Sequence, residues 1–290
     1  MVSDVKVSFE FFPPKDEASE EKLWQTIKRL EPLQPRFVSV TYGADGSTRD
    51  RTHRIVRRIQ EETSLVGAPH LTCVGATKED VLEIAKGYAN EGINHIVALR
   101  GDPPAGEDTY TPYPGGFAYA NDLVEGLMGI ADFDLSVAAY PDVHPEAQSA
   151  AFDMDILKKK IDAGAKRAIT QFFFDTEHYL HFRDAAAAKG IAAPIVPGLL
   201  PITNFKSLVG FASRCGATVP DWLGKKFEGL DGDPQIRQMI AANFAIEQAR
   251  ELQREGVDEF HFYTLNRAEL SYAICFALGV RPVAAESSAA

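Results

Sequence analysis

The run Val7-Ser8-Phe9-Glu10-Phe11-Phe12-Pro13-Pro14 sets one carboxylate inside an apolar, aromatic segment that two prolines then end. Such a segment reads as a buried strand. A carboxylate there is unfavourable unless a partner compensates it or chemistry uses it. Used, it is a general acid or base. Compensated, it is half of an ion pair, with Arg100 or Arg267 as candidate partners. On the residues alone both readings stand. Polar groups also end the other apolar runs: Ser39-Val-Thr41-Tyr42, His70 with Thr72, Arg100-Gly101-Asp102, Tyr140-Pro-Asp142-Val-His144-Pro-Glu146, Thr170-Gln171 and Thr264-Leu-Asn266-Arg267.

Each of these has a plainer reading. His70 suits a satisfied helper better than a metal ligand. Asp-x-His-x-Glu at 142–146 is weak evidence for a metal, and no metal is expected. Arg100-Gly-Asp-Pro-Pro is turn chemistry. Phe172-Phe-Phe174 suits core. Lys158-Lys-Lys160 suits a solvated helix face, although Lys160 could reach a phosphate if its helix skirts the site.

The elements that must position these groups alternate along the chain. Strand candidates are Val5–Phe12, Arg36–Tyr42, His70–Val74, His95–Leu99, Leu135–Tyr140, Ala168–Phe174, Pro194–Leu199 and Glu259–Thr264. Helical patterns fall at Glu17–Leu30, Thr48–Glu62, Lys78–Asn90, Ala118–Ala131, Ala147–Ala163, Glu177–Lys189, Asn204–Cys215, Pro234–Glu255 and Arg267–Leu278, most stopped by glycine. Near-continuous apolar strands separated by helices define an α/β, parallel arrangement. Eight such units predict a single (β/α)8 TIM barrel over residues 1–283, with a helical insertion at Thr218–Asp233 before the last strand and a flexible tail at 284–290. The rival doubly wound sheet usually carries a glycine-rich phosphate loop after its first strand; here Pro13-Pro14 stand there and no G-x-G-x-x-G occurs. In a barrel the polar strand ends converge on one rim.

The chain has 290 residues, 45% of them hydrophobic, and a formal charge of −11. That balance disfavours nucleic acid and anionic membrane as partners. Three dispersed cysteines without a C-x-x-C pair point to a reduced, cytoplasmic setting and away from zinc. Cys73, in an apolar run, reads as core. No signal peptide and no membrane-length apolar run is found.

Taken in order, Ser8-Phe-Glu-Phe-Phe-Pro-Pro14, Val38-Ser-Val-Thr-Tyr-Gly43, His70-Leu-Thr-Cys73, Leu99-Arg-Gly-Asp-Pro-Pro104, Tyr140-Pro-Asp-Val-His-Pro145, Thr170-Gln-Phe-Phe173, Pro197-Gly-Leu-Leu-Pro-Ile-Thr-Asn-Phe205 and Phe262-Tyr-Thr-Leu-Asn-Arg267 resemble the methylenetetrahydrofolate reductase family over nearly the whole chain. The resemblance implies a barrel that holds FAD without a Rossmann domain. It implies reduction of the flavin by NADH or NADPH, then reduction of 5,10-methylenetetrahydrofolate to 5-methyltetrahydrofolate. Small-molecule substrates and other copies of the chain, as a homo-oligomer, are the expected partners.

By this resemblance Glu10 is the general acid that protonates the departing folate nitrogen, kept protonated by a raised pKa in its aromatic pocket. Asp102 is the carboxylate beside flavin and folate. Gln171 matches the residue that grips the pterin through both ends of its amide, Phe211 an aromatic that stacks on the substrate, and Arg267 an arginine suited to the anionic glutamate tail. Thr41, His70, Arg100, Gly101, Asp102, Tyr119, Ala120, Tyr140, His144, Ala147, Asp153 and Lys160 match positions that hold FAD. Ser207 departs from the family pattern, standing where bacterial members carry a folate-contacting glutamine. No regulatory domain follows the barrel in this sequence, so no inhibition by S-adenosylmethionine is expected. Rival readings are a flavin-independent reductase of the same fold, a Schiff-base aldolase, for which no strand-end lysine is present, and a non-catalytic folate-binding protein.

Overall fold

The structure is a computed structural model and describes residues 4–42, 49–103, 106 and 109–283. The expected tail at 284–290, and Thr48 at the expected start of the second helix, lie outside the described residues. Nine parallel strands form one sheet: β1 (Lys6–Phe11), β2 (Val38–Val40), β3 (Gly67–Thr72), β4 (His95–Leu99), β5 (Asp134–Ala139), β6 (Arg167–Thr170), β7 (Ile195–Val196), β8 (Gly198–Leu199) and β9 (Glu259–Tyr263). Their order is β7-β6-β5-β4-β3-β2-β1-β9-β8. Because β7 and β8 are one chain segment interrupted at Pro197, the nine strands occupy eight barrel positions and the ring closes through that proline. Pro197 still accepts a hydrogen bond from His261 N–H at 3.0 Å. Proline removes a ladder donor, which is why the expected seventh strand is split.

The helices are α1 (Glu17–Leu30), α2 (Arg49–Glu62), α3 (Lys78–Asn90), α4 (Ala120–Met128), α5 (Ala150–Asp162), α6 (Thr176–Ala188), α7 (Phe205–Cys215), α8 (Asp221–Phe227), α9 (Pro234–Arg254) and α10 (Glu269–Ala277). α8 lies in the expected insertion. β2 keeps only Val38–Val40 of the expected Arg36–Tyr42, and two further strands differ from their sequence pattern. β3 begins three residues before His70, at Gly67-Ala-Pro69, residues that argue against a strand in isolation. β6 stops at Thr170, so Gln171–Phe174 leave the sheet and turn onto the rim.

Side chains alternate across each strand. Phe9 and Phe11 face outward, packing with Leu23 and Ile27 of α1 and Ile55 and Ile59 of α2. Phe260 and Phe262 of β9 do the same, and Phe9 and Phe262 stack at 5.8 Å between ring centroids. Inside the barrel a smaller cluster of Phe37, Ala68, Val97, Ile169 and Val196 fills the middle. Below it, at the N-terminal ends of the strands, buried Arg167 donates to Asp134 at 2.9 Å and to Ser136 at 3.0 Å, and lies 3.9 Å from Glu259. Arg167 also donates to Nε2 of His95 at 2.9 Å. Burial, with the charges of Arg167 and Arg36 nearby, pushes His95 down to about 3 against the pull of Asp134. The floor of the barrel is thus an ion network, and its C-terminal end is left open for the polar rim.

Candidate active site

Glu10 faces the barrel interior near its mouth, opposite Ser39 of β2 and Tyr263 of β9. Its side chain is 14% exposed. One carboxylate oxygen lies 3.3 Å from His70 Nε2 and 3.6 Å from His261 Nε2. His261 Nδ1 in turn pairs with Ser8 Oγ at 2.8 Å. Burial alone would push the Glu10 carboxyl up, but the two imidazoles outweigh it by charge and hydrogen bonding and hold the group at about 2. Two sequence expectations are corrected here. Glu10 is not surrounded by Phe9 and Phe11, which strand alternation sends to the outer face, so its pKa is lowered, not raised. Nor does it pair with Arg100 or Arg267; its partners are histidines.

Above Glu10 opens a cleft of about 770 Å³. Of the sixteen residues singled out from sequence, fifteen line it: Glu10, Thr41, His70, Arg100, Gly101, Asp102, Tyr119, Ala120, Tyr140, His144, Ala147, Asp153, Lys160, Gln171 and Phe211. Arg267 does not. It lines an adjoining cavity of about 160 Å³ with Arg237, Thr203 and Glu269. Ser207 is exposed in the first turn of α7 and lines neither space.

One wall of the cleft is cationic and hydroxylic. Arg100 is paired with Glu146 and lies over the Tyr110 ring at 4.4 Å. Gly101 has φ of +89°, and a Cβ there would lie 2.5 Å from Val74 Cγ2, so only glycine lets the β4 loop approach β3. His144 N–H donates to Asp153 at 2.8 Å, and its ring Nδ1 accepts from Glu146 N–H at 3.0 Å. Burial and the Arg100 charge lower the His144 pKa. Lys160 departs from the solvated-face reading. It is 6% exposed, and its ammonium donates to Ala138 O at 2.6 Å. Burial lowers its pKa to about 8. An ammonium has three donors, and this one has a single protein acceptor among the described residues. A buried cation so placed suits an anionic ligand.

The other wall is aromatic. Phe211 of α7 stacks on Phe172 with centroids 5.5 Å apart and planes 15° from parallel. Phe172 is therefore both core and lining. Gln171 turns its side-chain oxygen back onto Phe172 N–H at 3.0 Å, and its amide nitrogen has no protein partner among the described residues. An amide oxygen can accept a second hydrogen bond, so both ends of the amide stay open to a ligand. Tyr263 donates to Thr170 O at 2.7 Å, and burial raises its pKa well above normal. Cys73 is fully buried, and its thiol is pushed up to about 12 by burial, as its core reading requires.

Sequence reading passed over His261, Ser8 and Tyr263. The signal was present: Phe260-His261-Phe262 repeats the alternation of Phe9-Glu10-Phe11, with outward aromatics flanking one inward polar group. No group of three or more His, Cys, Asp or Glu among the described residues could hold a metal ion. No helix among them is long and apolar enough to cross a membrane.

The fold and cleft define a parallel (β/α)8 barrel with a carboxylate–histidine cluster at the floor of a large ligand site on its C-terminal rim. Comparison with known proteins narrows this class. The family model described as methylenetetrahydrofolate reductase matches residues 2–279, and the chain belongs to that family. It is 57% identical over 280 residues to the 5,10-methylenetetrahydrofolate reductase of Pectobacterium carotovorum subsp. carotovorum, covering 96% of this chain and 91% of that one. The Escherichia coli (strain K12) protein of the same name is 54% identical over 278 residues, covering 96% and 92%. Among solved structures, a Clostridium thermocellum protein described as binding two copies of 5-methyl-5,6,7,8-tetrahydrofolic acid aligns with a TM-score of 0.63 over 94% of each chain. At 15% identity that likeness carries the fold alone.

Proposed function

We propose that the protein reduces 5,10-methylenetetrahydrofolate to 5-methyltetrahydrofolate, using FAD and a nicotinamide dinucleotide. The observation that carries this reading is the Glu10–His70–His261 cluster, backed by Ser8, at the floor of the cleft of a chain from this family. When bound, FAD supplies the hydride chemistry. Lys160 and Arg100 would face its phosphates, and Thr41, Tyr119 and His144 would offer hydroxyl and imidazole contacts. Gly101 lets the β4 loop pass close to β3 beside it.

The folate's five-membered ring opens to a cationic iminium only when a proton reaches the departing nitrogen. Glu10 delivers that proton. Held at about 2 in the empty cleft, it does not store the proton by itself. Both imidazoles lie within reach of the same carboxylate oxygen, and His261 in turn pairs with Ser8 Oγ. Asp102 places negative charge at the rim, where a cationic intermediate is favoured. Phe211, stacked on Phe172, offers a flat face for the pterin.

The test is a spectrum of the purified protein followed by anaerobic mixing. Flavin absorbance that bleaches with NADH or NADPH and returns with 5,10-methylenetetrahydrofolate, with 5-methyltetrahydrofolate as product, is the expected result. A colourless protein that binds no added FAD yet turns over would replace this reading with direct transfer from nicotinamide.

A further inference from the structure

The loop after β5 and helix α7 both line the cleft, and Asp142 ties that loop to the residues just past α7. Asp142 itself does not line the cleft, and its side chain is 10% exposed. One carboxylate oxygen accepts from His178 Nδ1 of α6 at 2.6 Å. The other accepts from Thr218 N–H, just past α7, at 3.0 Å. The next residue, Val143, has φ of +68°. A β-branched residue rarely enters that region, and it persists there only where its surroundings fix it. Three contacts do so here: the Asp142 clamp, Val143 N–H on Tyr140 O at 3.2 Å, and His144 N–H on Asp153 at 2.8 Å. The turn brings Tyr140 and His144 edge to face at 4.6 Å in the cleft. Across from it, Gly216 caps α7 at φ +70°, so close that a Cβ would lie 2.4 Å from Pro145 Cγ. Phe211 stands on that same helix.

We propose that Asp142 is a positioning residue: its two-point clamp fixes the spacing between the loop carrying Tyr140 and His144 and the helix carrying Phe211. It sets substrate affinity through Phe211 without touching substrate. The proposal rests on the folate reading of the cleft. Geometry, not charge, is the operative property. An asparagine can still accept from Thr218 N–H and donate to an unprotonated His178 Nδ1, whereas alanine can do neither.

The test is a double-mutant cycle on the KM for 5,10-methylenetetrahydrofolate. Asp142→Ala raises KM about tenfold in the natural chain but less than about twofold in a Phe211→Ala background, the non-additivity expected of residues acting through one another. Asp142→Asn stays within about twofold of the natural chain, because both hydrogen bonds survive. If Asp142→Ala does not fold, His178→Ala, which removes one anchor at a half-exposed position, carries the same cycle. Equal effects in both backgrounds, or an Asp142→Asn chain as impaired as Asp142→Ala, overturn the proposal. Amide exchange of residues 211–218 gives an activity-independent readout. It is expected to quicken in Asp142→Ala and not in Asp142→Asn, and unchanged exchange in both refutes the clamp. A natural chain that reduces no folate but shows the exchange response would instead refute the functional reading.

Discussion

Replacing Glu10 with glutamine tests the core of the mechanism. The carboxyl sits at about 2 against an ordinary value of 4.5, a displacement of 4.5 − 2 = 2.5. At about 1.4 kcal/mol per pH unit, the two histidines and the other contacts favour the ionised form by about 3 kcal/mol net of burial. Lowered in this way, the carboxyl does not hold a proton by itself in the empty cleft. Glutamine keeps the size and removes the proton path. The expected loss in the folate half-reaction is about 10²- to 10⁴-fold, the usual contribution of a positioned acid. Reduction of the flavin by NADH or NADPH needs no such proton and should change by less than about threefold. Stopped-flow absorbance under anaerobic conditions separates the two half-reactions. Equal slowing of both, or an unimpaired folate step, would refute the assignment of Glu10 as acid.

Further outcomes follow from other parts of the structure. Lys160→Met should weaken FAD retention about 10- to 100-fold, the worth of one charge-assisted hydrogen bond, read by flavin content after dialysis. Gly101→Ala must adopt a left-handed backbone and meet Val74, so a stability loss of about 1–3 kcal/mol is expected in urea unfolding. Arg167→Met leaves Asp134 without its arginine, whereas Glu259 keeps Arg36 at 3.0 Å, and should destabilise by about 1–3 kcal/mol, with cleft chemistry intact in the folded fraction. His95, ordinarily near 6.5 and held at about 3 when folded, excludes a proton that the unfolded chain binds. Stability should therefore fall as pH drops from about 6.5 toward 3, by up to about 1.4 kcal/mol per pH unit, and His95→Gln should flatten that slope. Identical slopes for the two proteins would count against it.

The barrel was legible because buried parallel strands are apolar throughout and helices keep their own period, two signals that do not interfere. The split at Pro197 was visible as a proline, but its role as the closing point depends on β9, far along the chain. The start of β3 is not legible because Gly67 and Pro69 look unlike strand in isolation; register against β2 fixes them. The rim was legible for a similar reason: strand ends fall where strands end. Electrostatics was not. The pKa of Glu10 depends on which neighbours share its face, and the nearest phenylalanines in sequence are the ones that alternation removes. The contacts of Gln171 and the seat of Arg267 in a second cavity depend on side-chain directions that spacing does not encode.

The pairing of β1 with β9 has a consequence for biosynthesis. Ser8 and His261 stand 253 positions apart and meet only when the last strand docks beside the first. A ribosome exposes Glu10 and His70 early and His261 almost at the end. A nascent or prematurely terminated polypeptide can therefore own Glu10, His70, Asp102 and Lys160 and still lack His261 and its contact with Ser8. The complete carboxylate–histidine cluster therefore assembles in one late event, when the ring shuts.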